Sequence, residues 1–310
     1  MPKKQEKSHA REQRGRVISY YGKSVDVETD NGSVVACHLR RNQDLPVVGD
    51  EVSWELEASD GTGIVLGILP RRSMLARADS RGRLKPIAAN IDVLVIVMSP
   101  PPVFSVHMVN RYLVAAELLK IQPILVINKA DLMDKAALTS LKTALDIYRD
   151  IPYPVVLSSI YVEDGCSELT ALLQGKIGAL VGPSGVGKSS LITALGSEEI
   201  IRVGEVSNSG SGKHTTTATR WYHLYGGGAL IDSPGVRDFN LWPITKAEVL
   251  RGFREFQDHL SGCRFRDCTH AVEPDCAVQQ AVADGKISPE RFKGYQELLK
   301  TSIKPDDQYK

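Results

Sequence analysis

Short runs that alternate apolar and polar residues fill positions 17–69, and turn signals such as Asp30-Asn31-Gly32 separate them. Alternation with a period of two is typical of strands that bury one face. The runs predict strands at residues 17–21, 24–29, 33–39, 50–57 and 63–69. Five short strands in so compact a stretch favour a small five-stranded β-barrel of the oligonucleotide-binding (OB) type over residues 16–70.

The pattern changes after residue 70. A stretch that contains five arginines, expected to be a linker, is followed by apolar strands that alternate with amphipathic helices. The predicted strands are 91–98, 123–127, 154–157, 177–181 and 229–231, and the predicted helices are 109–119, 138–148, 167–173 and 190–195. This alternation is typical of a parallel sheet that is covered on both faces. We therefore expect an α/β domain at residues 71–237.

Helical patterns return after residue 237. Thr245 and Glu248 have the spacing of a capping box, which begins a helix. The buried stripe predicted for this helix consists of Val249, Phe253, Phe256 and Leu260. Pro289 opens a final helix. We expect a helical domain at residues 238–310.

A glycine-rich sequence follows the predicted strand 177–181 directly and matches G-x-x-x-x-G-K-S. It consists of Gly182, Pro183, Ser184, Gly185, Val186, Gly187, Lys188 and Ser189, and Ser190 begins the helix behind it. In a P-loop the backbone N–H groups surround the β-phosphate, the lysine reaches the β- and γ-oxygens, and the serine hydroxyl binds Mg²⁺. The alternative, a glycine-rich turn without a ligand, is disfavoured by the flanking strand and helix.

The sequence Asn128-Lys129-Ala130-Asp131 ends the predicted strand 123–127 and indicates which base is bound. A carboxylate at Asp131 can accept the N1–H and the exocyclic amine of guanine, whereas adenine has an acceptor at N1. A chance surface tetrapeptide is the alternative, which the nearby P-loop disfavours. Ser158 and Ser159, at the end of the next strand, are candidates to give a backbone N–H to the guanine carbonyl.

Asp232-Ser233-Pro234-Gly235 ends the predicted strand 229–231 and matches D-x-x-G. In GTPases this carboxylate holds the Mg²⁺ shell through water, and the glycine N–H contacts the γ-phosphate. A strand-ending turn is the alternative. A threonine of the preceding 215–217 run should ligate Mg²⁺; we favour Thr216, although the spacing does not separate it from Thr215 or Thr217.

The residue after Gly235 is Val236, where many GTPases have a glutamine that orients the attacking water. Another group must therefore position this water. His214, next to the threonine run, is the nearest candidate in the sequence, because a neutral imidazole can hydrogen-bond to water. A surface histidine without a catalytic role is the alternative.

Four metal-ligand side chains lie close together near the C-terminus: Cys263, Cys268, His270 and Cys276. Three thiolates and one imidazole complete a tetrahedral Zn²⁺ shell and leave no open position, which predicts a structural zinc ion. The alternative is a reduced cysteine cluster beside an uninvolved histidine.

Composition narrows the class of protein. The net charge is +1, so whole-protein charge does not drive nucleic-acid binding, although residues 1–15 are predicted to form a flexible basic arm. The longest apolar run, Val93–Met98, is far shorter than the ~20 residues that span a bilayer. Five cysteines, an odd number, suit metal binding in a reducing compartment, and we expect a cytoplasmic protein without membrane contact.

The guanine motif at 128–131 precedes the P-loop at 182–189, which reverses the order of an ordinary GTPase. In this respect the chain resembles a circularly permuted GTPase. Together with G-K-H-T-T-T at 212–217, D-S-P-G and the cysteine pattern, the motif order resembles the small ribosomal subunit biogenesis GTPase family of bacteria. The resemblance covers residues ~15–300.

This resemblance implies a GTPase that uses GTP with Mg²⁺ and binds the small (30S) ribosomal subunit and its rRNA late in maturation. It also implies that the subunit stimulates hydrolysis and that the enzyme leaves after hydrolysis. We expect the protein to be a monomer. A second interpretation is a GTP-gated RNA-binding module whose hydrolysis is incidental. A metal-handling or transport-linked GTPase is disfavoured, because the predicted zinc shell is saturated and no membrane element is predicted.

Overall fold

The computed structural model describes residues 12–41, 43–57, 61–78, 83–100, 104–196, 219–232 and 243–301, and every structural statement below concerns these residues. Most of the predicted basic arm lies outside them. So do His214, Thr215, Thr216, Thr217 and Gly235.

The N-terminal region is the expected barrel. Its strands are β1 (Gln13–Tyr20), β2 (Ser24–Glu28), β3 (Val34–Leu39), β4 (Glu51–Leu56) and β5 (Gly63–Ile68). Strand β1 pairs with β2, β2 with β3, β3 with β5 and β5 with β4, and β4 pairs with β1 to close the barrel. Alternate inward residues, including Val17, Val25 and Trp54, form its core.

The arginine-rich stretch is more ordered than the expected linker. It contains an antiparallel pair of strands, β6 (Met74–Ala78) and β7 (Leu84–Ala89). Two of its arginines form ion pairs, Arg71 with Asp50 at 2.7 Å and Arg72 with Asp92 at 2.7 Å. These pairs tie the segment to the barrel on one side and to the α/β domain on the other.

The α/β domain follows the predicted alternation. Its elements are β8 (Val93–Met98), α1 (Val106–Leu119), β9 (Gln122–Ile127), α2 (Lys135–Arg149), β10 (Val155–Leu157), α3 (Ser167–Leu173), β11 (Ile177–Val181), α4 (Lys188–Leu195), β12 (Arg220–His223) and β13 (Ala229–Asp232). Strands β10, β9, β8, β11 and β13 lie side by side in parallel. Their carboxyl ends therefore share one edge, where ligands bind in such sheets.

Strand β12 was not predicted, and it connects the two sheets. It runs antiparallel to β13 and pairs through Arg220 with Ser19 of β1. Beside this pairing, His223 Nε2 lies 2.7 Å from Glu28 Oε1. The strands of the barrel and of the α/β domain thus form one continuous sheet of 11 strands.

The C-terminal region contains α5 (Lys246–Arg251), a 3₁₀ helix (Arg254–Gly262), α6 (Ala277–Ala283) and α7 (Pro289–Thr301). The capping box of Thr245 and Glu248 is present. The prediction of a single long helix after this cap is wrong. The helix α5 ends at Arg251, and a separate 3₁₀ helix begins after Gly252, at Arg254. A Cβ at Gly252 would overlap the side chain of Val114 on α1, so this close approach requires glycine.

Arg291 of α7 fixes the C-terminal region against α1. Its side chain is fully buried, and its Nε and Nη2 donate to Glu255 Oε1 and Oε2 at 2.6 and 3.1 Å. Its Nη1 donates to Asn110 Oδ1 of α1 at 2.6 Å. Among the described residues, we find no helix with the length and apolar character needed to cross a membrane.

Candidate functional site

The P-loop begins where β11 ends and leads into α4. Three of its glycines have positive φ, namely +137° at Gly182, +82° at Gly185 and +96° at Gly187. A Cβ at Gly182 would also overlap the backbone oxygen of Val97 on β8. Only glycine adopts this path without strain, and the path aims the N-terminal N–H groups of α4 at the loop interior, where an anion binds.

Lys188 lies inside this loop. Its side chain is 6% exposed, and its Nζ donates to the backbone oxygens of Gly182 at 2.6 Å and Pro183 at 2.7 Å. The loop thus holds an ammonium group where phosphate oxygens would arrive. Asp232, also buried, ends the neighbouring strand β13 at the same edge of the sheet.

The guanine loop after β9 is bonded directly to the P-loop. Asn128 Nδ2 donates to the backbone oxygen of Val186 at 2.9 Å, and Lys129 Nζ donates to that of Gly185 at 2.6 Å. Lys129 has a left-handed backbone with φ +62°, which turns its side chain towards the P-loop. Two motifs more than 50 residues apart in the sequence therefore act as one unit.

Ser158 and Ser159 support this unit with their hydroxyl groups. Ser158 Oγ donates to Asn128 Oδ1 at 3.2 Å, and Ser159 Oγ donates to Asp131 Oδ1 at 2.5 Å. Their backbone N–H groups donate within the chain, to the oxygens of Ile127 and Gly165. Because both backbone N–H groups already have acceptors within the chain, the structure makes them weaker candidates for a base carbonyl than the sequence indicated.

One cavity of about 590 Å³ brings both motifs together. The predicted residues that line it are Asn128, Lys129, Asp131, Ser184, Gly185, Gly187, Lys188, Ser189 and Ser190. Two further residues, Ile160 and Tyr161, line the same cavity. Sequence reasoning stopped at the serine pair and missed them, although they come directly after it. Five residues predicted to bind the nucleotide are not in this lining: Ser158, Ser159, Gly182, Pro183 and Val186.

The four predicted metal ligands also come together. Their ligand atoms all lie within 4.8 Å of one another, with His270 Nδ1 3.4 Å from Cys276 Sγ and 3.5 Å from Cys263 Sγ. A tetrahedral zinc shell separates neighbouring N and S ligands by roughly 3.5 Å, given its bond lengths. The cluster therefore fits a metal ion of this size and preference.

Burial changes the protonation of two of the predicted ligands. Burial lowers the pKa of His270, which favours the neutral ligand form. Burial raises the pKa of the Cys268 thiol to about 12, so the thiolate requires a bound cation for its stability. Tyr295 of α7 anchors this loop by donating to the backbone oxygen of Thr269 at 2.8 Å.

A P-loop that follows its guanine loop in the sequence, with a barrel before it and a Cys/His cluster after it, defines a circularly permuted GTPase. Comparison with known proteins gives the family. The family model described as RsgA GTPase matches residues 68–242, and the chain belongs to this family. It is therefore an enzyme that hydrolyses GTP.

Relatives of nearly full length support this assignment. Proteins named small ribosomal subunit biogenesis GTPase RsgA from Pseudomonas fluorescens and Pseudomonas aeruginosa are each 46% identical to the chain. The two alignments cover 96% and 95% of this chain and 88% and 87% of the relatives.

Solved structures confirm the fold. YjeQ from Thermotoga maritima has a TM-score of 0.77 at 30% identity, with 97% of this chain and 100% of YjeQ covered. YloQ, described as a circularly permuted GTPase, has a TM-score of 0.75 at 30% identity, with 96% of each chain covered. The predicted multidomain fold is thus confirmed.

Proposed function

We propose that this GTPase acts in maturation of the small (30S) ribosomal subunit. The single observation that carries the proposal is the shared cavity of the guanine loop and the P-loop, in a chain whose relatives over nearly its full length are named for small-subunit biogenesis. GTP with Mg²⁺ would occupy the cavity, and hydrolysis to GDP and phosphate would time release from the particle.

In this proposal each residue has a defined task. Lys188 contacts the β- and γ-phosphates, and Ser189 supplies a hydroxyl to Mg²⁺. Asp232 holds the Mg²⁺ shell through water. Thr216 and Gly235, which lie outside the described residues, would complete the Mg²⁺ and γ-phosphate contacts. The Cys/His cluster would hold one structural Zn²⁺.

Guanine selectivity rests on Asp131, whose carboxylate Ser159 holds at the cavity. Asp131→Asn replaces one acceptor by an amide donor, which suits the C2 carbonyl of xanthine better than the C2 amine of guanine. We expect the variant to bind XDP more tightly than GDP, measured by competition against a fluorescent nucleotide. Equal competition by ADP and GDP in the wild-type protein would contradict the proposed selectivity.

The water-positioning group is proposed to be His214. Because Val236 cannot orient water, intrinsic turnover should be slow, and docking on the subunit would bring His214 to the attacking water. GTP hydrolysis is measured with and without purified small subunits, for the wild type and for His214→Ala. We expect strong stimulation of the wild type only, with nearly unchanged GTP affinity in the variant. Full stimulation of His214→Ala would exclude this role.

Contact with rRNA is proposed for the barrel and the strands that follow it. Arg77 and Lys85 lie opposite each other on β6 and β7, are exposed and form no ion pair with another described residue. Arg71 and Arg72 are engaged by Asp50 and Asp92, so they are weaker candidates than Arg77 and Lys85. Tight RNA binding without stimulated hydrolysis would instead favour a GTP-gated RNA-binding module.

A further inference from the structure

Tyr161 is an aromatic residue that the proposed machinery leaves unused. Its side chain is 82% exposed, although it lines the nucleotide cavity beside Ile160. Its hydroxyl forms no hydrogen bond with any described residue. An aromatic ring placed in this way has a large apolar surface that a ligand could cover.

The backbone of Tyr161 is fixed relative to the base-reading carboxylate. Its N–H donates to Ser159 Oγ at 3.1 Å, and the same hydroxyl donates to Asp131 Oδ1 at 2.5 Å. One serine therefore sets the positions of both residues. A base whose edge is bound by Asp131 lies within reach of the ring that follows Ser159.

A second wall of the cavity comes from Lys129. Because its Nζ is held by the Gly185 oxygen, its methylene stem extends along the P-loop, and its Cε lies 3.6 Å from the position of a Cβ at Gly187. This stem is an apolar surface on the loop after β9, whereas Tyr161 lies on the loop after β10. Guanine offers two flat faces between edges that hydrogen-bond, and two walls from separate loops suit them.

We propose that Tyr161 stacks on one face of the guanine base and retains the bound nucleotide. This inference rests on the proposed nucleotide site and adds a contact that responds to the base and not to the phosphates. The contact tolerates any purine, since every base has a π-face, so Tyr161 contributes affinity and residence time and Asp131 contributes selectivity.

The test compares Tyr161→Ala, Tyr161→Phe and a control, Val162→Ala, in the full chain. Val162 is also exposed, at 54%, but does not line the cavity. Removal of an aromatic side chain that stacks on a base typically weakens binding by roughly fivefold or more. We expect Tyr161→Ala to weaken GDP binding about tenfold and to speed GDP release, while Tyr161→Phe and Val162→Ala stay within about twofold of the wild type.

Inorganic tripolyphosphate separates stacking from general damage to the loop. It should displace a fluorescent nucleotide from the P-loop with the same intrinsic affinity in the wild type and in Tyr161→Ala, because it has no base. Equal loss of GDP and tripolyphosphate affinity would overturn the inference, as would unchanged GDP binding by Tyr161→Ala. A wild-type chain that binds no GDP would overturn the proposed nucleotide site itself.

Discussion

Arg291→Ala should destabilise the attachment of the C-terminal region to the α/β domain. Arg291 has no exposed side-chain surface, and Glu255 is 11% exposed. The guanidinium also lies 4.4 Å above the centre of the Phe253 ring and bonds to Asn110 on α1. The substitution therefore leaves Glu255 with an uncompensated charge in a largely dry environment and also opens a cavity.

The magnitude follows from this burial. Removal of one partner of a buried, doubly hydrogen-bonded ion pair typically costs 3–5 kcal/mol, so we expect a loss of about 4 kcal/mol. Removal of both charges should cost much less, because no buried charge remains without a partner. The double variant Arg291→Met with Glu255→Leu should therefore regain about half of the loss or more.

Native-state hydrogen exchange is the suitable assay, since it reports local unfolding free energies. Amides of α1 and α7 should lose protection together in Arg291→Ala. Arg40→Ala is the control, because its pair with Glu55 lies on the surface, with 53% and 32% of the two side chains exposed. Such a pair is worth ~0–1 kcal/mol. A loss below about 1 kcal/mol in Arg291→Ala would refute the reasoning from burial.

Two further predictions use matched controls. Gly182→Ala should abolish nucleotide binding, because Gly182 has φ +137° and the new Cβ would overlap the Val97 carbonyl. The control Gly175→Ala, at φ +67° with open space around it, should reduce the stability of the fold by only about 1–2 kcal/mol and retain binding. Calorimetric titration with GDP checks both variants. Cys268→Ala should reduce the zinc content measured by atomic absorption and deprotect the C-terminal region alone. The control Cys166→Ala lies outside the cluster and should have the same zinc content as the wild type. A wild-type protein that contains no metal would contradict the zinc proposal.

Local sequence patterns located the five barrel strands by their alternation and the five parallel strands of the α/β domain by their continuous apolar runs. They missed β6 and β7, which lie in the stretch expected to be a linker. They also missed β12, for a physical reason. Arg220–His223 is only four residues long, and its burial comes from β1 and β13 rather than from its own sequence. The need for glycine at position 252 escaped prediction in the same way, because it comes from the approach of Val114, which is distant in sequence.

The sequence motifs predicted the part of the candidate site that their own residues form. Lys188, Asn128 and Asp131 line or support one cavity, as their spacing indicated. The role of Ser159 could not be predicted from the sequence, because the sequence does not show that its backbone N–H donates to the Gly165 oxygen. In the folded loop it is the hydroxyl of Ser159 that bonds to Asp131.

The pairing of β12 has a mechanical consequence. Arg220 lies opposite Ser19 of the barrel on one side and opposite Asp232 on the other. Neighbouring strands in a sheet are about 4.8 Å apart, so only roughly 10 Å separates the edge of the barrel from the carboxylate proposed to hold the Mg²⁺ shell. A displacement of the barrel would therefore reach the carboxyl edge of the α/β sheet through the single strand β12.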